Sequence, residues 1–186
     1  MNRQPVPLDK AYLLMNHGPV TLVSSAHGER RNVMAASWTM PVDFSPPKVA
    51  VVIDATSLTR QLVDASGAFV LNIPCRRIAA QVLAVGSVSG RDGDKFAACG
   101  VAVIAEPAAP APLIAGCAAW LACRVIDEPD NHARHDLFVA EVTAAWADAD
   151  IFSNGRWHFP DDASRTVHYL AGGNFLASGE AFAVDA

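Results

Sequence analysis

Two stretches of the chain carry residues suited to holding a ligand. The first, Met34-Ala35-Ala36-Ser37-Trp38-Thr39-Met40-Pro41-Val42, sets small and hydroxyl side chains beside a tryptophan and a methionine. Small side chains let a flat ligand approach backbone amides, while large ones wall its faces. Core packing accounts for Trp38 and Met40 equally well, so pattern leaves both readings open. The second, Gly86-Ser-Val-Ser-Gly90-Arg91-Asp-Gly93 with Lys95 close behind, combines a permissive backbone with two cations. Such a segment can bring N–H groups and positive charge to an anion. A plain surface loop has the same composition.

Several other chemistries find no support. The glycines do not follow a strand with G-x-G-x-x-G spacing, and no G-x-x-x-x-G-K-[ST] occurs. No serine sits in a G-x-S-x-G elbow. His132-x-x-His135 with Asp136 has donor atoms for a metal but no defined third ligand and no H-E-x-x-H helix. A solvated turn is expected there, and no metal site is assigned. The four cysteines, Cys75, Cys99, Cys117 and Cys123, form no C-x-x-C, so reduced thiols are expected. Cys75 has no assignable basic activator and reads as a small buried hydrophobe. Pattern assigns no catalytic residue.

The elements that must position these stretches are mostly strands. Asp9 is placed to cap a short helix through Ala11 and Met15, stopped by Gly18-Pro19. Val20 to Ser25 and Asn32 to Trp38, around the turn Ala26 to Glu29, read as a hairpin. Met40 to Pro47 holds three prolines and is expected as loop. Lys48 to Ile53 is a β-branched strand. Ser57 caps a helix carrying Leu58, Leu62 and Val63, which ends near Gly67. Ala68 to Ile73 is a strand, Arg76 to Val85 a helix and Gly86 to Gly93 a loop. Asp94 to Cys99 is a short helix, and Glu106 to Pro112 a connection. Trp120 to Asp127 and Leu137 to Trp146 are strands joined by a polar turn over Glu128 to Asp136. About six strands with short helices between them favour an antiparallel barrel over a doubly wound sheet.

Composition bounds the class. The chain has 186 residues, 52% hydrophobic and 18% charged, enough for one substantial core and unlike a disordered chain. Its 14 basic and 19 acidic residues give a net charge of -5, which disfavours nucleic-acid binding. No apolar run reaches the length of a membrane helix, and no secretory segment is readable, so a soluble cytoplasmic protein without a membrane partner is expected.

A series of segments then falls in a specific order. It runs Pro19-Val-Thr-Leu-Val23, Asn32-Val-Met-Ala-Ala-Ser-Trp38, Phe44-Ser-Pro-Pro-Lys-Val-Ala-Val-Val52 and Phe69-Val-Leu-Asn-Ile-Pro74. Gly86-Ser-Val-Ser-Gly-Arg-Asp-Gly-Asp-Lys-Phe96 and His168-Tyr-Leu-Ala-Gly-Gly173 complete it. This series, spanning Gly18 to Phe175, resembles the flavin reductase-like FMN-binding split-barrel family, and is most similar to its flavoredoxin-like branch. The resemblance implies a mainly β (α+β) fold over a single domain of residues 1–186: an FMN-binding split β-barrel with short peripheral helices. It further implies a homodimer with noncovalent FMN near the subunit interface.

The activity so implied is that of an FMN-dependent oxidoreductase, an NAD(P)H:flavin reductase passing hydride from nicotinamide to FMN. The alternative is a flavoredoxin-like electron-transfer protein that does not oxidise nicotinamide itself. A split barrel using haem or no cofactor stays open, because topology does not set the ligand. An oxygenase or another electron acceptor would be the partner. Ala36, Ser37, Trp38 and Thr39 match the segment along the isoalloxazine ring, and Asn72 and Ile73 the strand end beside it. Ser57 and Thr59 match a phosphate-side segment at a helix start, where free N–H groups suit an anion. Gly90, Arg91, Lys95 and Phe96 match the segment whose cations neutralise phosphate or reduced ring. Lys95 is accordingly expected to anchor the phosphate with Ser57 and Thr59. His168 matches a family histidine, with no role assigned. The segment Phe152 to Arg165, with Trp157 and Phe159, lies outside the family pattern.

Overall fold

Apolar residues recur on both faces of the early strands, and this dictates the layering. In β1 (Thr21–His27), the five residues from Thr21 to Ser25 are all buried, and β5 (Ala68–Pro74) is nearly as dry. A strand that reads as a continuous buried run must be covered on both sides. A computed structural model describes residues 19–184 and shows that covering. The helix expected over Ala11 to Met15 lies outside the described residues.

Seven strands form one antiparallel sheet in the order β2-β1-β5-β8-β9-β4-β3. Its other members are β2 (Arg30–Ala36), β3 (Thr39–Phe44), β4 (Pro47–Val52), β8 (Cys117–Val125) and β9 (Leu137–Ala147). The two end strands, β2 and β3, are consecutive in sequence and are not hydrogen-bonded neighbours. The opening in the sheet therefore falls at the Ser37-Trp38 corner. The mainly β expectation holds.

Two of the expected connections differ. Met40 to Pro47 is the β3–β4 hairpin, because β3 lies at the sheet edge, where Pro41 removes no interior ladder bond. Glu128 to Asp136 contains a helix, α4 (Pro129–His135), with proline in its first turn, where a missing N–H costs nothing. Its polar sequence hides it, for it has no buried residue and no apolar stripe to read.

Two of the α-helices start at side-chain caps and bury residues behind them. In α1 (Leu58–Ser66), Ser57 Oγ accepts the Arg60 N–H at 3.0 Å. The helix ends at Gly67, whose φ of 67° is left-handed and whose N–H returns to Val63 O. A 3-10 turn at Arg76–Ile78 leads into α2 (Ala79–Ser87). Asp94 caps the four-residue α3 (Lys95–Ala98). Short pairs β6 (Val103–Ile104) with β7 (Leu113–Ile114), and β10 (Phe152–Ser153) with β11 (Arg156–Trp157), decorate the sheet. A final hairpin, β12 (Val167–Ala171) with β13 (Asn174–Ala177), is tied to β1's start by Val20 N–H to Val167 O. None of these short strands was readable from sequence periodicity.

Leu22, Val33, Val70, Val82, Val85 and Phe96 form one core between the sheet and α2–α3. Val23, Val51, Ile53, Val63, Phe69 and Phe138 form a second, on the side of α1. Leu22 and Val23 are sequence neighbours that point into different cores, as strand alternation requires. Among the described residues no helix is long and apolar enough to cross a membrane.

Candidate functional site

Where β2 ends and the chain turns into β3, an open cleft of about 440 Å³ forms. Met34, Ala35, Ala36, Ser37 and Trp38 line it from the corner, Val52 and Asp54 from the end of β4, and Tyr169 from β12. His135 and Asp136 complete it from the end of α4. A smaller hollow of about 170 Å³ adjoins it, sharing Ala35, Ser37 and Tyr169 and reaching Leu83, Gly86 and Ser87 of α2. The floor is low because Ala35, Ala36 and Ser37 are small. Trp38, 55% exposed, and Tyr169 supply aromatic surface. Tyr169 is braced by Phe175, with ring centroids 5.1 Å apart. The corner is pinned by the Val52 N–H to Trp38 O bond at 3.1 Å.

The second sequence stretch is folded against the head of α1. Arg91 donates through Nε and Nη2 to Thr56 O at 3.3 and 3.2 Å. That bond sets a guanidinium beside the Ser57 cap. Asp54 accepts from the Thr56 N–H and hydroxyl at 2.7 and 2.5 Å, which holds its carboxyl below the usual carboxylate range. Gly90 presses on β2 so closely that a Cβ there would lie 2.3 Å from Asn32 Oδ1. Asn32 Nδ2 in turn donates to Thr59 Oγ1 at 2.9 Å.

Six of the expected residues thus fall into two groups. Ala36, Ser37 and Trp38 line the cleft, and Ser57, Gly90 and Arg91 meet at the head of α1. Thr39 opens β3 at the corner without lining the cleft. Thr59 is fully buried, with its hydroxyl accepting from Asn32. Asn72 is also fully buried. Its Nδ2 donates to Leu22 O, Ser24 Oγ and Val70 O, and its Oδ1 accepts the Ile114 N–H at 2.8 Å. Ile73 is half-buried beside it. Lys95 is 6% exposed, and its Nζ donates to Val85 O at 2.7 Å; burial pulls its pKa down. Phe96 is core, under the Arg31 guanidinium at 4.4 Å. Neither Lys95 nor Asn72 lines the cleft.

Sequence reasoning missed Asp54, His135, Asp136 and Tyr169 as lining residues. Tyr169 stands in a quoted segment, next to His168, so a signal existed there. His135 and Asp136 were weighed only as donors to a metal and read as a solvated turn, because such a turn and a helix end at a cleft have the same polar composition.

The whole arrangement has close relatives. The flavin reductase like domain family matches residues 15–166. A protein of Escherichia coli (strain K12), YddH, is 43% identical over 179 residues, covering 95% of each chain. The FMN-binding domain of a flavin reductases-like enzyme from Shewanella baltica OS155 is 45% identical, with a TM-score of 0.87 over 97% of this chain and 96% of that one. Flavoredoxin of Desulfovibrio vulgaris (Miyazaki F) shares the fold at 23% identity, with a TM-score of 0.81 over 99% of this chain and 97% of that one. A strand-dominated sheet open at one corner, the ordered segments around that corner and these likenesses agree: the chain belongs to the flavin reductase-like domain family of split barrels.

Proposed function

We propose that the cleft at the β2–β3 corner binds FMN and that the protein is an FMN-dependent oxidoreductase taking hydride from NAD(P)H. The observation that carries this reading is one cleft in which the Ala36–Trp38 corner meets Tyr169, in a chain of this family. The residues fit such a group. The volume, about 440 Å³, suits a cofactor-sized ligand, and the low floor with aromatic sides suits a planar ring. FMN bound there supplies the hydride acceptor, and the protein supplies binding and orientation.

Each residue then has a task. Ala35, Ala36 and Ser37 let the ring lie against the backbone, and Trp38 and Tyr169 exclude water from its edges. Ser57 and Arg91 hold the phosphate end, where helix N–H groups and a guanidinium favour a dianion. His135 and Asp136 remain as the polar side of the cleft, available to the co-substrate.

A homodimer belongs to the same reading. Beside Trp38, β3 exposes Met40, Val42 and Phe44, the last at 99%. An apolar edge strand of this kind is ordinarily covered by another chain, and a second copy would cover it next to the cleft. An oxygenase or another acceptor in the cytoplasm would receive the electrons. Titration of the purified protein with FMN tests the proposal. A yellow, two-banded flavin spectrum that bleaches when NADH or NADPH is added anaerobically is the expected result. Binding without bleaching leaves an electron-transfer flavoprotein, and absence of FMN binding overturns the assignment.

A further inference from the structure

Arg60 joins four elements around the cleft without lining it. Its side chain is 14% exposed. Nε donates to both carboxylate oxygens of Asp64, at 3.0 and 2.9 Å. Nη1 donates to Asp136 Oδ1 at 2.9 Å and to Ile53 O at 3.4 Å, and Nη2 to His132 O at 3.3 Å. The guanidinium carbon stands 4.7 Å from the centroid of the Phe138 ring. One side chain of α1 thus grips the end of β4, both ends of the last turn of α4, and β9.

The segment it grips has little else to hold it. α4 is seven residues long, has no side-chain N-cap bond and buries none of its residues. His132 stacks on Phe138 at 4.2 Å, and the Ile53 N–H reaches Asp136 O at 2.9 Å. Asp136 itself is left-handed, with φ at 53°. A non-glycine residue keeps that conformation only where its surroundings over-determine it. His135, the last residue of α4, and Asp136, its C-cap, line the cleft.

We propose that Arg60 is a positioning residue: through Asp136 and the His132 carbonyl it fixes the last turn of α4, and so places His135 and Asp136 at the co-substrate side of the cleft. The role of that side rests on the FMN and nicotinamide reading above. A lysine is no substitute, because a single ammonium cannot reproduce a planar fork that serves four residues and stacks on a ring. The Ser57 cap is made by the backbone N–H of Arg60, so a side-chain substitution leaves it in place. The two ends of the cleft are therefore separable by mutation.

The test uses the full chain with Arg60→Gln and with Arg60→Lys. Hydrogen exchange of the apo protein is the first readout. Amides of residues 131–138 are expected to lose protection about tenfold or more in both Arg60 variants, while those of β1 and β5 keep theirs. In the FMN-loaded enzyme, KM for the reduced nicotinamide is expected to rise about tenfold while the FMN Kd changes less than about threefold. Uniform loss of protection with an unchanged KM makes Arg60 a general stability residue and overturns the proposal. If the wild-type protein binds no FMN, the functional reading fails, while local exchange at 131–138 still decides whether Arg60 positions the turn.

Discussion

The lining of the cleft and the layer beneath it are built from opposite materials. The lining uses Ala35, Ala36 and Ser37 with the exposed side chain of Trp38. The layer beneath uses polar side chains with almost no exposure: Asn32, Thr59, Asn72 and Lys95. Each of these buried groups has a partner inside the fold. Residue type alone would reverse the two roles, since asparagine, threonine and lysine look like ligands and alanine does not. Burial decides, because a polar group out of water must find its bond where it sits.

That contrast predicts which substitutions disturb folding and which disturb binding. The largest effect is expected at Asn72. Asn72→Ala strands the Ile114 N–H and removes the amide's bonds to Leu22 O and Ser24 Oγ, and should cost about 3 kcal/mol of unfolding free energy in denaturant titration. The surviving folded fraction should bind FMN normally; a selective loss of FMN affinity without loss of stability would move Asn72 into the lining.

Gly90→Ala comes next and crosses both layers. The new Cβ meets Asn32 Oδ1, so the loop must lift from β2 and carry Arg91 with it. A stability loss of about 1–2 kcal/mol is expected together with weakened FMN binding. Unchanged binding of FMN would show that Arg91 does not depend on that close approach.

Arg91→Ala should leave stability nearly untouched and weaken FMN about tenfold, as loss of one charge-assisted bond implies. Riboflavin, which lacks the phosphate, should bind both proteins alike. Equal losses for the two flavins would remove Arg91 from the phosphate end.

Lys95→Met has the smallest expected effect, about 1 kcal/mol of stability from the lost bond to Val85 O. FMN and riboflavin affinities should fall together or not at all, in contrast to Arg91→Ala. The pH dependence carries its own sign. Burial lowers the Lys95 pKa in the folded state, so the unfolded chain binds more protons between that lowered value and the ordinary lysine value of 10.5. Stability from this group therefore rises with pH across that alkaline window. Urea midpoints measured through the window should lose that slope in Lys95→Met.

Much of this was legible in the residues. Ser57 and Gly67 delimit α1 by local chemistry, a hydroxyl cap and a left-handed stop, which need no tertiary partner. The β1–β2 hairpin is likewise written in two runs around a glycine turn. The β3–β4 hairpin was not legible, because Pro41 is tolerated only once β3 is known to be an edge. α4 was not legible either, because its place is set by Arg60 from a distant helix rather than by any stripe of its own.

By itself, then, the sequence determined the strand-rich class, the ends of α1 and, through the order of its segments, the family. Those are properties of neighbouring residues, set by φ, ψ preferences, capping and alternation. Only the tertiary structure decided which motif residues face the cleft and which lie under it. It brought His135, Asp136 and Tyr169 to the corner from more than 90 residues down the chain, and turned Lys95 and Asn72 inward. The physical reason is that exposure and hydrogen-bond partners are settled by which strands pair and which faces pack, and these depend on contacts far apart in sequence.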